Sequence, residues 1–185
     1  EATLPETTTY PDGPPPFRVG LMLPKSGGLR EAAERVARGW EIALKLSDHH
    51  VGERPVKLIL VDTSRGLRDT VVKASAMLEK PGIDVFAGVV GANTAAAMAE
   101  FAGSREKPLV LAGAIGADVM SRACYPHVAR TSFNIDPYQT TSGRFYATRY
   151  KTLFTVGPDT KGGHRIVQRF GKAYRRVGGR IIEQA

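Results

Sequence analysis

From residue 17 onward, short runs of β-branched and other apolar residues alternate with longer stretches in which apolar positions recur every three or four residues. That alternation predicts βαβ units and a parallel sheet covered by helices. The strands fall at 17–23 (FRVGLML), 56–61 (VKLILV), 83–90 (IDVFAGVV), 109–112 and 127–132. Pro24 ends the first, and Lys25-Ser26-Gly27-Gly28 leads into a helix over 29–49. In that helix Ala33, Val36, Ala37, Trp40, Ala43 and Leu44 form one apolar stripe, which places Trp40 in the core. Residues 51–54 read as a turn, and helices follow at 67–79 and 95–102. A helical connection between the first two strands is a crossover, so the strands are parallel and their expected order is 2-1-3-4-5. The fold class is therefore α/β, with a doubly wound parallel sheet.

The pattern continues after Ser132 with a helix over 137–150, a strand at 152–156, a Gly-rich turn at 161–163, a helix to 177 and a strand at 180–182. Helix and strand almost touch at Tyr150, whereas such connections usually take about 2 to 6 residues, so the spacing points to a deletion or to missing residues there. In the last helix Ile166, Phe170, Ala173, Tyr174 and Val177 share a face, while Arg165, Arg169, Lys172 and Arg176 form a separate stripe. Residues 1–16 are polar and rich in Thr and Pro, a composition that behaves as an extended leader. Such a leader suits a mature exported protein whose signal peptide has been removed.

Composition narrows the class. With 42% hydrophobic and 24% charged residues in 185, the chain matches folded domains and excludes collagen-like or wholly disordered ones. The longest weakly polar stretch, 85–99, falls short of the roughly 20 apolar residues of a spanning helix. The net charge of +8 is uneven. Up to Gly143 there are 16 basic and 16 acidic residues, whereas 144–185 holds ten basic residues against Asp159 and Glu183. The basic stripe accordingly reads as a solvated helix face serving neither solute nor nucleic acid. Cys124 is the only cysteine, so no intrachain disulfide forms, and His49, His50, His127 and His164 lack metal-ligand spacing.

Ligands of doubly wound sheets gather beyond the carboxyl ends of the strands. The loops there are 24–28, 62–66, 91–94 and 113–118. Two are built of small residues that let a ligand reach backbone N–H groups at a helix N-terminus: Gly91-Ala92-Asn93-Thr94 and Gly113-Ala114-Ile115-Gly116-Ala117. Plain helix capping by Asn93 or Thr94 is the alternative use of the first. Asp62 follows a strand end and reads as a helix-entry or loop residue. Enzyme motifs are missing: no Gly-x-Gly-x-x-Gly follows the first strand, no Gly-Lys-Ser/Thr closes a phosphate loop, and no Gly-x-Ser-x-Gly elbow occurs.

The ordered set FRVGLMLPKSGG, ARGWEIALKL, VKLILVDTSRGLRDTVVKASAMLEKPGIDVFAGVVG, EKPLVLAGA, YPHVARTSFNIDPYQTTSGRFYA and TLFTVGPDTKGGHRIVQRFGKAYRRVGGRII resembles the type I periplasmic binding proteins of the branched-chain amino-acid ABC transporter class. The resemblance implies a leader at 1–16, a first α/β lobe over 17–132, and a hinge crossing with a partial second lobe over 133–185. It implies a solute-binding component of an ABC importer, located in the periplasm or otherwise outside the cytoplasm. Its partners would be a small carboxylate-bearing solute and a membrane permease, with no nucleic acid, no cofactor, no metal and no catalysis. A ligand-sensing domain of a receptor or regulator is the alternative on the same fold. The implied ligand-binding residues are Asn93, Thr94, Gly113, Ala114 and Ile115. Ile115 stands where the family commonly places a Thr, which suits a solute with a larger hydrophobic body, such as an aromatic acid.

Overall fold

In the computed structural model, residues 13–80, 82–113 and 125–184 are described. Contacts divide the chain into two compact units, one ending at Ser132 and the other beginning at Phe133. Most of the leader, together with Ala114, Ile115 and Cys124, lies outside the described residues.

The first unit is built on strand β1 (Phe17–Leu23). It lies between β3 (Arg54–Asp62) and β4 (Val85–Val90), parallel to both, in register from Phe17↔Val56 to Leu23↔Asp62 and from Val19↔Val85 to Met22↔Gly88. With β5 (Leu109–Gly113), β6 (Val128–Arg130) and a short β2 (His50–Val51), the sheet runs β2-β3-β1-β4-β5-β6. Apart from β2, that is the order expected from the sequence.

Side-chain alternation along β1 explains why both faces must be covered. Val19, Leu21 and Leu23 pack on one side with Ala33, Val36, Ala37 and Trp40 of helix α1 (Arg30–Leu46), so Trp40 is a partly buried core residue. Met22 points the other way, into a cluster with Ala74 and Met77 of α2 (Leu67–Glu79) and Ala95, Met98 and Phe101 of α3 (Ala92–Ser104). At Gly20 a side chain would meet Met77 and Phe86 at 3.1 Å, so the strand leaves that space to its neighbours.

The structure corrects the end of α1. The helix stops at Leu46, Ala43 is exposed, and Asp48 and His49 take left-handed φ values of 50° and 57° that peel the chain away. His50 and Val51 then pair antiparallel with Pro55 and Arg54. The expected turn is thus a hairpin with Gly52-Glu53 at its tip, where Gly52 supplies φ 59°.

The amino ends of the central strands are tied by Arg54. Its guanidinium donates to the carbonyls of Pro15 and Pro16 at 2.9 Å and to Asp84 at 3.2 Å, and it lies 5.1 Å from the Phe17 ring centre. Asp84 also accepts from the Arg18 backbone at 2.7 Å. Burial works against this carboxylate, but the Arg18 N–H and the Arg54 guanidinium hold its pKa below the ordinary value.

The second unit consists of α4 (Ile135–Arg149), β7 (Thr152–Thr155), α5 (Lys161–Arg176) and β8 (Arg180–Gln184), with β7 and β8 parallel. The short link after α4 is held by hydrogen bonds to α5 and β8. Tyr150 turns extended, its carbonyl accepts from the buried Tyr174 hydroxyl at 2.7 Å, and the Lys151 carbonyl accepts from Arg180 N at 2.9 Å. The two helices approach closely at Gly143, where a side chain would come within 2.6 Å of the Phe170 carbonyl.

The basic stripe also needs correction. Arg165 and Arg169 of α5 both reach Oδ2 of Asp136 on α4 at 3.0 Å, and the Asp136 side chain is only 8% exposed. Half of the expected solvated face therefore joins the two helices. Replacing Asp136 with Ala removes the carboxylate that both guanidinia share. This should destabilise the chain by about 2 kcal/mol, read as a lower urea midpoint, and an unchanged midpoint would show that the pairing contributes nothing.

Candidate functional site

The chain leaves β1 for β3 on one side and returns across β1 to β4 on the other, so the strand order reverses between β1 and β4. At such a switch point the loops diverge and leave a depression beyond the strand ends. Here it measures about 160 Å³. Ser26, Thr63, Ser64 and Thr94 contribute polar lining, Gly28 and Gly66 bare backbone, and Pro24, Leu29 and Val90 an apolar wall.

Three helices open at this depression. Their N-cap residues are Leu29, Gly66 and Gly91, and no side chain caps any of them. The second unit differs, since Asn134 and Thr160 cap α4 and α5 through their side chains. First-turn N–H groups lack intrahelical acceptors, and the helix dipole adds partial positive charge there. The α3 start requires glycine: Gly91 has φ 97°, and a side chain would come 2.8 Å from Leu29 Cδ1. Strain collects just upstream, where the buried β-branched Val89 adopts φ 54°.

Asp62 organises the rim of the site. Its Oδ1 accepts from Ser64 Oγ at 2.5 Å, Ser64 N at 2.9 Å and Lys25 N at 3.1 Å. Ser64 Oγ in turn accepts from Lys25 N and Ser26 N, each at 2.9 Å. Lys73 donates to the Asp62 carbonyl at 2.7 Å and pairs with Asp69 at 2.6 Å. The loops after β1 and β3 are thereby locked together. Hydrogen bonds from the Ser64 hydroxyl, then from the Ser64 and Lys25 backbones, push the Asp62 pKa down to about 2. Asp62 is thus a loop-fixing residue, its Oδ1 engaged by three donors.

Of the residues expected at the site, Thr94 lines the depression. Asn93 lies exposed in the first turn of α3, and Gly113 closes β5 in register with Val90. Ala114 and Ile115 fall outside the described residues. Neither Asn93 nor Thr94 is the N-cap, because α3 starts earlier than expected, at Ala92. Ser26, Thr63 and Ser64 sit in strand-end loops that the fold class singles out, but their residue types alone carried no signal. Among the described residues, no cluster of His, Cys, Asp and Glu is arranged to hold a metal, and no helix is long and apolar enough to cross a membrane. His164, in the first turn of α5, pairs with the exposed Asp159 just before that helix at 2.8 Å.

The sequence profile of the periplasmic binding protein family matches residues 16–185. The chain belongs to this family. No curated protein sequence matches it. Among solved structures, this periplasmic binding protein is similar to the solute-binding protein of an ABC transporter from Rhodopseudomonas palustris BisB5 in complex with 3,4-dihydroxybenzoic acid. The TM-score is 0.82 at 24% identity, over 91% of this chain and 46% of that one. A second R. palustris ABC-transporter solute-binding protein, in complex with benzoate, gives a TM-score of 0.81 at 27% identity over 91% and 47%. The periplasmic ligand-binding protein of a branched-chain amino-acid ABC transporter from Burkholderia xenovorans LB400 gives 0.79 at 19% identity over 91% and 46%. The chain spans about half the length of these structures.

The lowered Asp62 pKa fixes a pH dependence. A carboxylate depressed in the folded chain stabilises it above its ordinary pKa of 3.8, and that contribution is lost as pH falls from there through about 2. The difference in urea midpoint between the parent and Asp62→Asn should be full at pH 5 and shrink toward pH 2. A constant difference over that range would show that the loop lock does not depend on the ionised form.

Proposed function

We propose that this chain is a solute-capturing part of an ABC importer that works outside the cytoplasm and hands its solute to a membrane permease. The solute is a small carboxylate held at the strand-end depression of the first unit. One observation carries the reading: three helix N-termini without side-chain caps border the same depression. A carboxylate there meets backbone donors and three aligned dipoles, which is how an anion is bound without a full opposing charge.

The hydroxyls of Ser26 and Thr94 make no hydrogen bond among the described residues, so both are free to orient the solute. The family resemblance adds Asn93, Gly113, Ala114 and Ile115 to the proposed site and assigns Ile115 to the solute's apolar body. The R. palustris relative bound to benzoate supports an aromatic acid as the solute class. Pro24, Leu29 and Val90 offer an apolar wall for such a ring.

Calorimetry with benzoate, leucine and the neutral analogue benzamide tests this. Benzoate should bind at least tenfold more tightly than benzamide. Thr94→Val should weaken it about tenfold by removing one hydrogen bond to a charged group, and Ile115→Asp should abolish it by like-charge repulsion. Equal binding of benzoate and benzamide, or indifference to both substitutions, would remove the site from this depression.

A further inference from the structure

We propose a second binding site, for a small oxyanion bearing two or more phosphate or carboxylate groups, in the groove between α4 and α5. The close approach at Gly143 sets Arg144 of α4 opposite Arg169, Lys172 and Arg176 of α5, with Gln168 beside them. The concavity measures about 400 Å³, within the range that holds small molecules. Among the described residues, no carboxylate lines it.

Charge accounting separates this groove from an ordinary solvated face. Arg169 shares the Asp136 carboxylate with Arg165. Arg144, Lys172 and Arg176 form no hydrogen bond or ion pair among the described residues. The dipole of α5 accounts for Arg176 in its last turn, but not for Arg144 or Lys172, which lie within helices. Four cations gathered in one concavity repel each other unless an anion joins them. Arginine forks at three of the four positions suit oxyanions that accept two parallel hydrogen bonds, and cations on both walls suit more than one such group. A flat lipid surface fits the concavity less well than a compact anion, and among the described residues no aromatic ring lines it to stack a nucleic-acid base.

The test is calorimetry of the full chain with pyrophosphate, citrate and acetate, at about 50 and about 200 mM salt. Pyrophosphate or citrate should bind at least tenfold more tightly than acetate and weaken steeply with salt. The Arg144→Ser, Lys172→Ser, Arg176→Ser triple variant should lose at least tenfold in affinity with an unchanged urea midpoint, because Arg169 and its Asp136 pairing are kept. If the triple variant is unstable, Arg144→Lys with Arg176→Lys keeps the charge and should still weaken binding by removing the forks. Thr94→Val should leave pyrophosphate binding unchanged whether or not benzoate binds, which separates this site from the strand-end depression. Co-sedimentation with vesicles of phosphatidylcholine and phosphatidylglycerol completes the test. Absence of free-anion binding, equal affinity in the variants, or binding to these vesicles alone would overturn the proposal.

Discussion

The burial of β1 on both faces, between two parallel neighbours, is the constraint from which the rest of the first unit follows. A strand with no wet face and no free edge must be reached through crossovers, and each crossover carries a helix back to the start of the next strand. All of these helices then begin at the same end of the sheet, beyond the carboxyl ends of its strands. The depression and its converging N-termini are therefore a geometric by-product of packing β1, and only the residues around them had to be selected. Gly66 and Gly91, which leave the α2 and α3 ends uncapped, and the hydroxyls of Ser26 and Thr94 are such choices.

Three aspartates do the tying that apolar packing cannot. Asp84 joins the amino ends of the central strands through Arg54, Asp62 joins the loops at their carboxyl ends, and Asp136 joins two helices of the second unit. Each accepts from two or more donors within the fold, so each is costly to replace by a residue that leaves those donors orphaned.

The strands and their order were legible because apolar runs and crossover lengths are local properties of the chain. The hairpin at His50–Val51 was not, since two residues carry no periodicity and the helix stop depends on left-handed Asp48 and His49. The start of α3 was hidden for a similar reason: Ala92, Asn93 and Thr94 are small or polar, and the helix begins where Gly91 turns the backbone. Thr94 was recognisable from its loop, whereas Ser26 and Ser64 became candidates only once the β1 and β3 loops were seen together. The stripe on α5 looked solvated because its counter-ion, Asp136, lies on another helix 29 residues away in sequence.

The hairpin that escaped the sequence also sets how the sheet ends. β2 covers only Arg54 and Pro55, so among the described residues β3 has no partner strand along its outer edge from Lys57 to Asp62. Leu60 is 38% exposed there, inside the run Leu58-Ile59-Leu60-Val61. An open edge of that length and composition is a template onto which another extended chain can add. Lys57 and Asp62 bracket it with opposite charges and act as gatekeepers against stacking. During synthesis, before the helices dock, this run exposes its apolar faces as well as its edge, and docking of α1 and α2 buries the faces.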